Sequence, residues 1–166
     1  MFKLKPIHKQ AIPRALEKVA RYRLLNEPLE AESICRDILE VDPSNQDALI
    51  NLILSLSDQF AKGLDIREAN ALLPRLKDDY QKEYYKGLIL ERKGKASLIR
   101  NTLGSHHDVY EWFFEAMEAY EEAEKLSGPE NDDAILRWNT CARIIQKYKL
   151  TPRPPDEKDR LHLPLE

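Results

Sequence analysis

Apolar residues along this chain recur every three or four positions rather than every second one. That spacing lays a continuous oily stripe along a helix, whereas a half-buried strand needs strict alternation. Ala15, Leu16, Val19, Ala20, Tyr22 and Leu25 predict a first helix over about 9–25, broken by Asn26, Glu27 and Pro28. Leu29, Ala31, Ile34, Cys35, Ile38 and Leu39 predict a second. Asp42-Pro43 closes it, because proline restricts the residue before it and has no amide to donate. Ser44 or Asn45 is placed to cap a third helix, which runs on Ala48, Leu49, Leu52, Ile53 and Leu56 to about Phe60. A turn from Lys62 to Asp65 follows, and Asp65 with Glu68 has the spacing of a capping box. Ile66, Ala69, Leu72, Leu73 and Leu76 carry a fourth helix that Pro74 must kink or shorten.

Tyr84, Tyr85, Leu88 and Ile89 predict a fifth helix over about 80–93, ending at Gly94. The pattern weakens over 95–107, where Ala96, Leu98, Ile99 and Leu103 allow a short helix before a break at Gly104-Ser105. The strongest stripe is Val109, Trp112, Phe113, Ala116, Tyr120 and Ala123, a helix over about 108–127 with Asp108 as cap or first-turn acid. Beyond Gly128-Pro129, a last helix over about 132–148 buries Ile135, Trp138, Ala142, Ile145 and Tyr148, with Cys141 beside them. The expectation is an all-α chain of about seven main helices, one helical domain over 1–150 and a proline-rich tail over 151–166.

Composition sharpens this picture in three places. Only 5 glycines are present in 166 residues, too few for a hairpin-rich or phosphate-cradling architecture. Net charge is -3, which disfavours whole-molecule attraction to nucleic acid, but the charge is unevenly spread. Residues 1–23 hold seven Lys and Arg against Glu17, and residues 108–133 hold ten acids against Lys125. Such opposed segments suit a charged partner or head-to-tail self-contact, or form two solvated helix faces of opposite sign. Cys35 and Cys141 sit at small apolar positions and read as buried thiols from a reducing compartment. The greasiest stretch, Leu49 to Leu56, is far short of the roughly 20 residues a spanning helix needs. A cytoplasmic protein without membrane association is expected.

The order helix, turn, helix, proline-containing break is the mark of stacked helical repeats. In LEAESICRDILEVDP, Ala31, Cys35, Ile38 and Pro43 stand at small, apolar, apolar and loop positions. In EAMEAYEEAEKLSGP, Ala116, Tyr120, Ala123 and Pro129 repeat that arrangement. Leu49, Leu52 and Ile53 form a first-helix core, and YYKGLILERKG has Gly87 at a close-packing point. On these residues the chain resembles the tetratricopeptide repeat family over roughly 12–148, as a divergent member. The unit between Gln46 and Leu76 is lengthened at its turn, and 95–107 is an insertion. The resemblance implies a solenoid of antiparallel helix pairs whose first helices line a groove for a peptide or partner segment. Its groove positions here are Arg23, Asn51, Leu54, Asp58, Tyr84, Leu88, Arg92, Arg137 and Arg143, with Asn51 where many members hold a peptide backbone. Leu16 and Ala20 stand where chaperone-tail binders use Lys and Asn, which argues against their two-carboxylate clamp.

Chemistry-bearing motifs are sparse. His106-His107-Asp108 is the only histidine cluster, and it suits a helix start better than a metal site, so no metal or other cofactor is expected. No Gly-rich phosphate loop, His-Glu-x-x-His, Cys-x-x-Cys or nucleophile elbow occurs, so no enzyme is expected. The functional expectation is a protein-interaction scaffold or adaptor that binds a protein or peptide partner reversibly, with self-association through the solenoid ends allowed. The alternative is a nucleic-acid-associated helical protein. It would use the basic first helix together with Lys82, Lys86, Arg92, Lys93, Lys95 and Arg100, and would be opposed by the acidic 108–133 segment.

Overall fold

The computed structural model describes residues 2–100 and 106–154, and among them it shows seven α-helices and no strand. They are α1 (Ile12–Leu24), α2 (Pro28–Val41), α3 (Gln46–Ser57), α4 (Arg67–Leu72), α5 (Asp79–Arg100), α6 (His106–Leu126) and α7 (Asp133–Tyr148). Short 3-10 turns flank α1, α3 and α4. The expected Gly104-Ser105 break and residues 155–166 of the tail lie outside the described residues.

Local chemistry explains most of the boundaries. Asn26 adopts a left-handed conformation at φ 59 after α1, so that Glu27 N–H reaches the Tyr22 carbonyl and Asn26 N–H that of Arg23. This is a Schellman closure, in which asparagine tolerates the positive φ. Pro28 then occupies the first turn of α2, where its missing amide costs nothing. Asn45 caps α3, its side-chain oxygen accepting the Ala48 N–H at 2.9 Å. α7 closes as α1 does, with Lys149 at φ 51 and Leu150 N–H on the Ile145 carbonyl.

Two sequence expectations need correction. Pro74 does shorten α4, which stops at Leu72 and tightens into a 3-10 turn over Leu73–Arg75. The capping box before α4, however, is only half made. Asp65 accepts the Arg67 N–H at 2.8 Å, but Glu68 turns away to bond Arg36 of α2 at 2.7 Å. Gly94 does not end α5, which continues to Arg100. Asp108 lies in the first turn of α6, one of the two places expected for it.

Each helix packs most extensively on its neighbours in sequence, while α1, α3, α5 and α7 touch one another more lightly in series. One buried cluster joins α1 to α5 through residues such as Val19, Ala31, Cys35, Leu49, Ile53 and Ile89. A second joins α6 and α7 through Phe113, Ala116, Tyr120, Ala134 and Cys141, with Tyr84 and Leu90 of α5 packed against it. The small positions Ala31 and Ala116, alike in sequence, are both fully buried.

Gly94 has a packing reason for standing inside a helix. A Cβ there would lie 2.9 Å from the Phe113 ring of α6, and one at Gly87 would lie 2.8 Å from the Tyr120 ring. The two glycines are two helical turns apart on α5, and the two rings are two turns apart on α6 in the reverse direction. Two notches therefore receive two aromatic knobs across an antiparallel helix pair, and this is what lets α5 and α6 approach closely.

Substituting Gly94→Ala measures this directly. In a helix facing solvent the change stabilises by about 1 kcal/mol. Here the added methyl group collides with a buried ring, an overpacking cost of about 1–3 kcal/mol. Urea denaturation should show a net loss of stability; a gain would mean that the ring does not occupy the notch.

Candidate functional site

The light contacts between odd-numbered helices carry a polar network of two groups, one around Asp58 and one around Glu91. Arg23, in the last turn of α1, donates from Nε to Asp58 Oδ2 at 2.9 Å. Asp58 follows directly on α3, and its other carboxylate oxygen accepts from Arg92 of α5. The same Arg92 Nη1 also donates to Ser57 Oγ at 2.6 Å and to the Leu54 carbonyl at 3.0 Å. Carbonyls at the end of α3 lack helical partners and carry the negative end of the helix dipole, which is why an arginine settles there. Burial lowers the Arg92 pKa, against the opposing pull of the Asp58 charge.

One residue back along α5, Glu91 has its carboxylate fully buried, 0% exposed. Tyr120 of α6 donates its hydroxyl to it at 2.7 Å, and Arg137 of α7 donates from Nη1 at 3.2 Å. Lys95, one turn further along α5, pairs with the same carboxylate. Burial works to lower the Arg137 pKa, but the Glu91 charge and the Tyr84 hydroxyl overcome it and raise the value. The Tyr120 hydroxyl is pushed well above its ordinary value, first by burial and then by the Glu91 charge. Tyr84 completes the cluster, its ring centre 5.8 Å from that of Tyr120 and 5.2 Å edge-on from Tyr85. Tyr80 stacks on Tyr84 at 5.7 Å.

Of the nine residues expected at a groove, six fall in this network: Arg23, Leu54 by its carbonyl, Asp58, Tyr84, Arg92 and Arg137. Asn51 lies beside it on α3 and donates to the Asp47 carbonyl of its own helix at 2.9 Å. Leu88 does not line an open face; it is 2% exposed and belongs to the core. Arg143 is exposed and sits two positions, about 200° of helical rotation, from buried Cys141. It therefore points away from the face that Arg137 occupies. Sequence reasoning missed Glu91 and Ser57, and placed Lys95 only on the basic stripe of the alternative reading. Glu91 had a signal: it stands one turn from Gly87 and Leu88 on the buried stripe of α5, a charge where an apolar residue is due.

Comparison of the chain with protein-family models, with curated proteins and with solved structures finds no match.

Other candidate chemistry is disposed differently. Among the described residues no three His, Cys, Asp or Glu side chains gather to hold a metal ion. His107 Nδ1 lies 2.9 Å from the Thr151 carbonyl, and Arg153 pairs with Asp108, so the start of the tail is tied to the first turn of α6. No described helix is long and apolar enough to cross a membrane. Lys82, Lys86, Arg92 and Lys95 all have carboxylate partners, and Lys93 lies over the Trp112 ring, 5.4 Å from its centre. That leaves little bare charge on α5 for a phosphate backbone. Phe113 is buried as expected, Trp112 is half-buried, and Phe114 is 47% exposed and stacks on Tyr110.

Cys35 and Cys141 are free and buried in different clusters, and burial pushes both thiols up to about 12. In the unfolded chain they ionise near their ordinary value of 9.0. Groups whose folded pKa is raised stabilise fully below the unfolded pKa and lose that contribution as pH rises towards the folded one. Stability should therefore fall between pH 9 and 12, by about 1.4 kcal/mol per pH unit for each thiol held protonated by the fold. Chemical denaturation across that range should show a shallower slope for Cys35→Ala/Cys141→Ala than for the wild type. Equal slopes would mean that the thiols are accessible.

Proposed function

We propose that the protein is an interaction scaffold or adaptor of tetratricopeptide-like build, holding an extended acidic segment of a partner across α1, α3, α5 and α7. The observation that carries this reading is the cationic excess of the network. Arg23, Arg92, Lys95 and Arg137 surround two carboxylates, Asp58 and Glu91. Arg23 uses only Nε and Arg92 only Nη1 towards other described residues. Both side chains are about one-fifth exposed, and their forked N–H donors suit a carboxylate or a peptide carbonyl. Held from behind by Asp58, the forks are pre-oriented, which reduces the entropy lost when they grip a ligand.

Helices that meet in series at their edges support a shared face, and the tyrosines at 80, 84 and 85 add rigid apolar area beside the charges. Binding is reversible and uses no cofactor. Nothing in this reading requires covalent chemistry at the site.

The test is affinity capture from native lysate with three forms of the full chain. Arg23→Gln/Arg137→Gln should lose the partners that the wild type retains, with affinity reduced roughly tenfold or more. Arg143→Glu, exposed and about 120° round α7 from Arg137, should retain them. Thermal melts establish that all three are folded. Capture unaffected by the double substitution, or lost equally with Arg143→Glu, would overturn the proposal.

A further inference from the structure

A second, separate pair of surfaces is complementary in charge and spacing. Arg14, Lys18 and Arg21 form an exposed stripe on α1, separated by four and then three residues. Glu115, Glu118 and Glu122 form an exposed stripe on α6, separated by three and then four. Run antiparallel, the two series coincide: Arg21 meets Glu115, Lys18 meets Glu118 and Arg14 meets Glu122. Helical residues three and four apart share a face, so each triplet points in one direction over two turns.

The ends of the stripes agree as well. Beyond Arg21, Leu24 and Leu25 are 88% and 60% exposed. In the antiparallel register they fall towards the start of α6, where Phe114 is 47% exposed and stacks on Tyr110. Each stripe is also a ridge beside a groove. The α1 stripe borders a cavity of about 330 Å³ shared with Ile34 and Asp37 of α2. The α6 stripe borders one of about 380 Å³ shared with Lys86 of α5. Ridges of one helix layer set into grooves of another are how helical surfaces mate.

Within one molecule these charges go largely unused. Arg14, Lys18, Arg21, Glu115 and Glu118 form no ion pair among the described residues, and Glu122 has only the exposed Lys125 one turn away. Because α1 and α6 are buried in different clusters, a single chain does not bring the stripes together. We infer that the occupant of each surface is a second copy of this chain, docked head to tail with α1 of one protomer antiparallel to α6 of the next. Exposed ion pairs contribute little each, so the charges set register and encounter while the leucines and Phe114 supply apolar contact. The contact is heterologous, so two copies either close on each other through both surfaces or continue into a row.

A charge exchange on the full chain tests this by sedimentation. The wild type should self-associate at low ionic strength and dissociate as salt rises to about 0.5 M, where screening reaches within a few ångströms. Arg14→Glu/Lys18→Glu/Arg21→Glu should weaken association roughly tenfold to a hundredfold, and Glu115→Lys/Glu118→Lys/Glu122→Lys should do the same. Mixed in equal amounts, the two variants should associate again, since each then meets a complementary surface. That recovery distinguishes a designed contact from damage to folding. A wild type that stays monomeric at low salt and high concentration would overturn the inference, as would assembly unaffected by either triple substitution or two variants that stay apart on mixing.

Discussion

The arrangement of this molecule depends on a carboxylate that has been taken out of water. An unpaired charge at the position of Glu91 would cost several kcal/mol, so the helices around it are constrained to deliver donors. Tyr120 supplies one from α6, Arg137 one from α7, and Lys95 one from the same helix. Tyr120 can do so only because Gly87 leaves room for its ring one turn before Glu91. A missing side chain, an aromatic ring and a buried charge thus act together, and they set the register of α5, α6 and α7.

That constraint also organises the candidate binding face. Glu91 and Arg92 are adjacent, so the backbone that aims one carboxylate at α6 and α7 aims the neighbouring guanidinium at the end of α3. Asp58 then holds Arg92 from one side and Arg23 from the other. Two ion-paired groups follow one another from α1 to α7, Arg23–Asp58–Arg92 and Lys95–Glu91–Arg137.

Periodicity was enough to place all seven helices, although α7 buries Ala134 and Cys141 and leaves Ile135 and Tyr148 of its expected stripe exposed. It failed where a residue served a neighbour rather than its own helix. Gly94 looks like a stop signal by propensity, yet the tertiary gain from seating Phe113 outweighs it. Glu68 has the spacing of a capping partner, but Arg36 offers it a charge-assisted bond instead. In the candidate site, Arg23, Arg92 and Arg137, which the resemblance singled out, are the ones that the structure ion-pairs. Their counter-ions were not legible, apart from Asp58, because no local pattern records which carboxylate a guanidinium will find across a helix pair. Leu88 and Arg143 were misplaced for a simpler reason: α5 and α7 are rotated so that the first faces the core and the second faces outward.

The most direct measure of this central contact is a double-mutant cycle on Glu91→Gln and Tyr120→Phe, read by chemical denaturation. If hydroxyl and carboxylate are joined in a buried network, the two changes should be non-additive by about 1–2 kcal/mol. Additivity within about 0.3 kcal/mol would show that they act independently, and the account of how α5, α6 and α7 are held would be wrong.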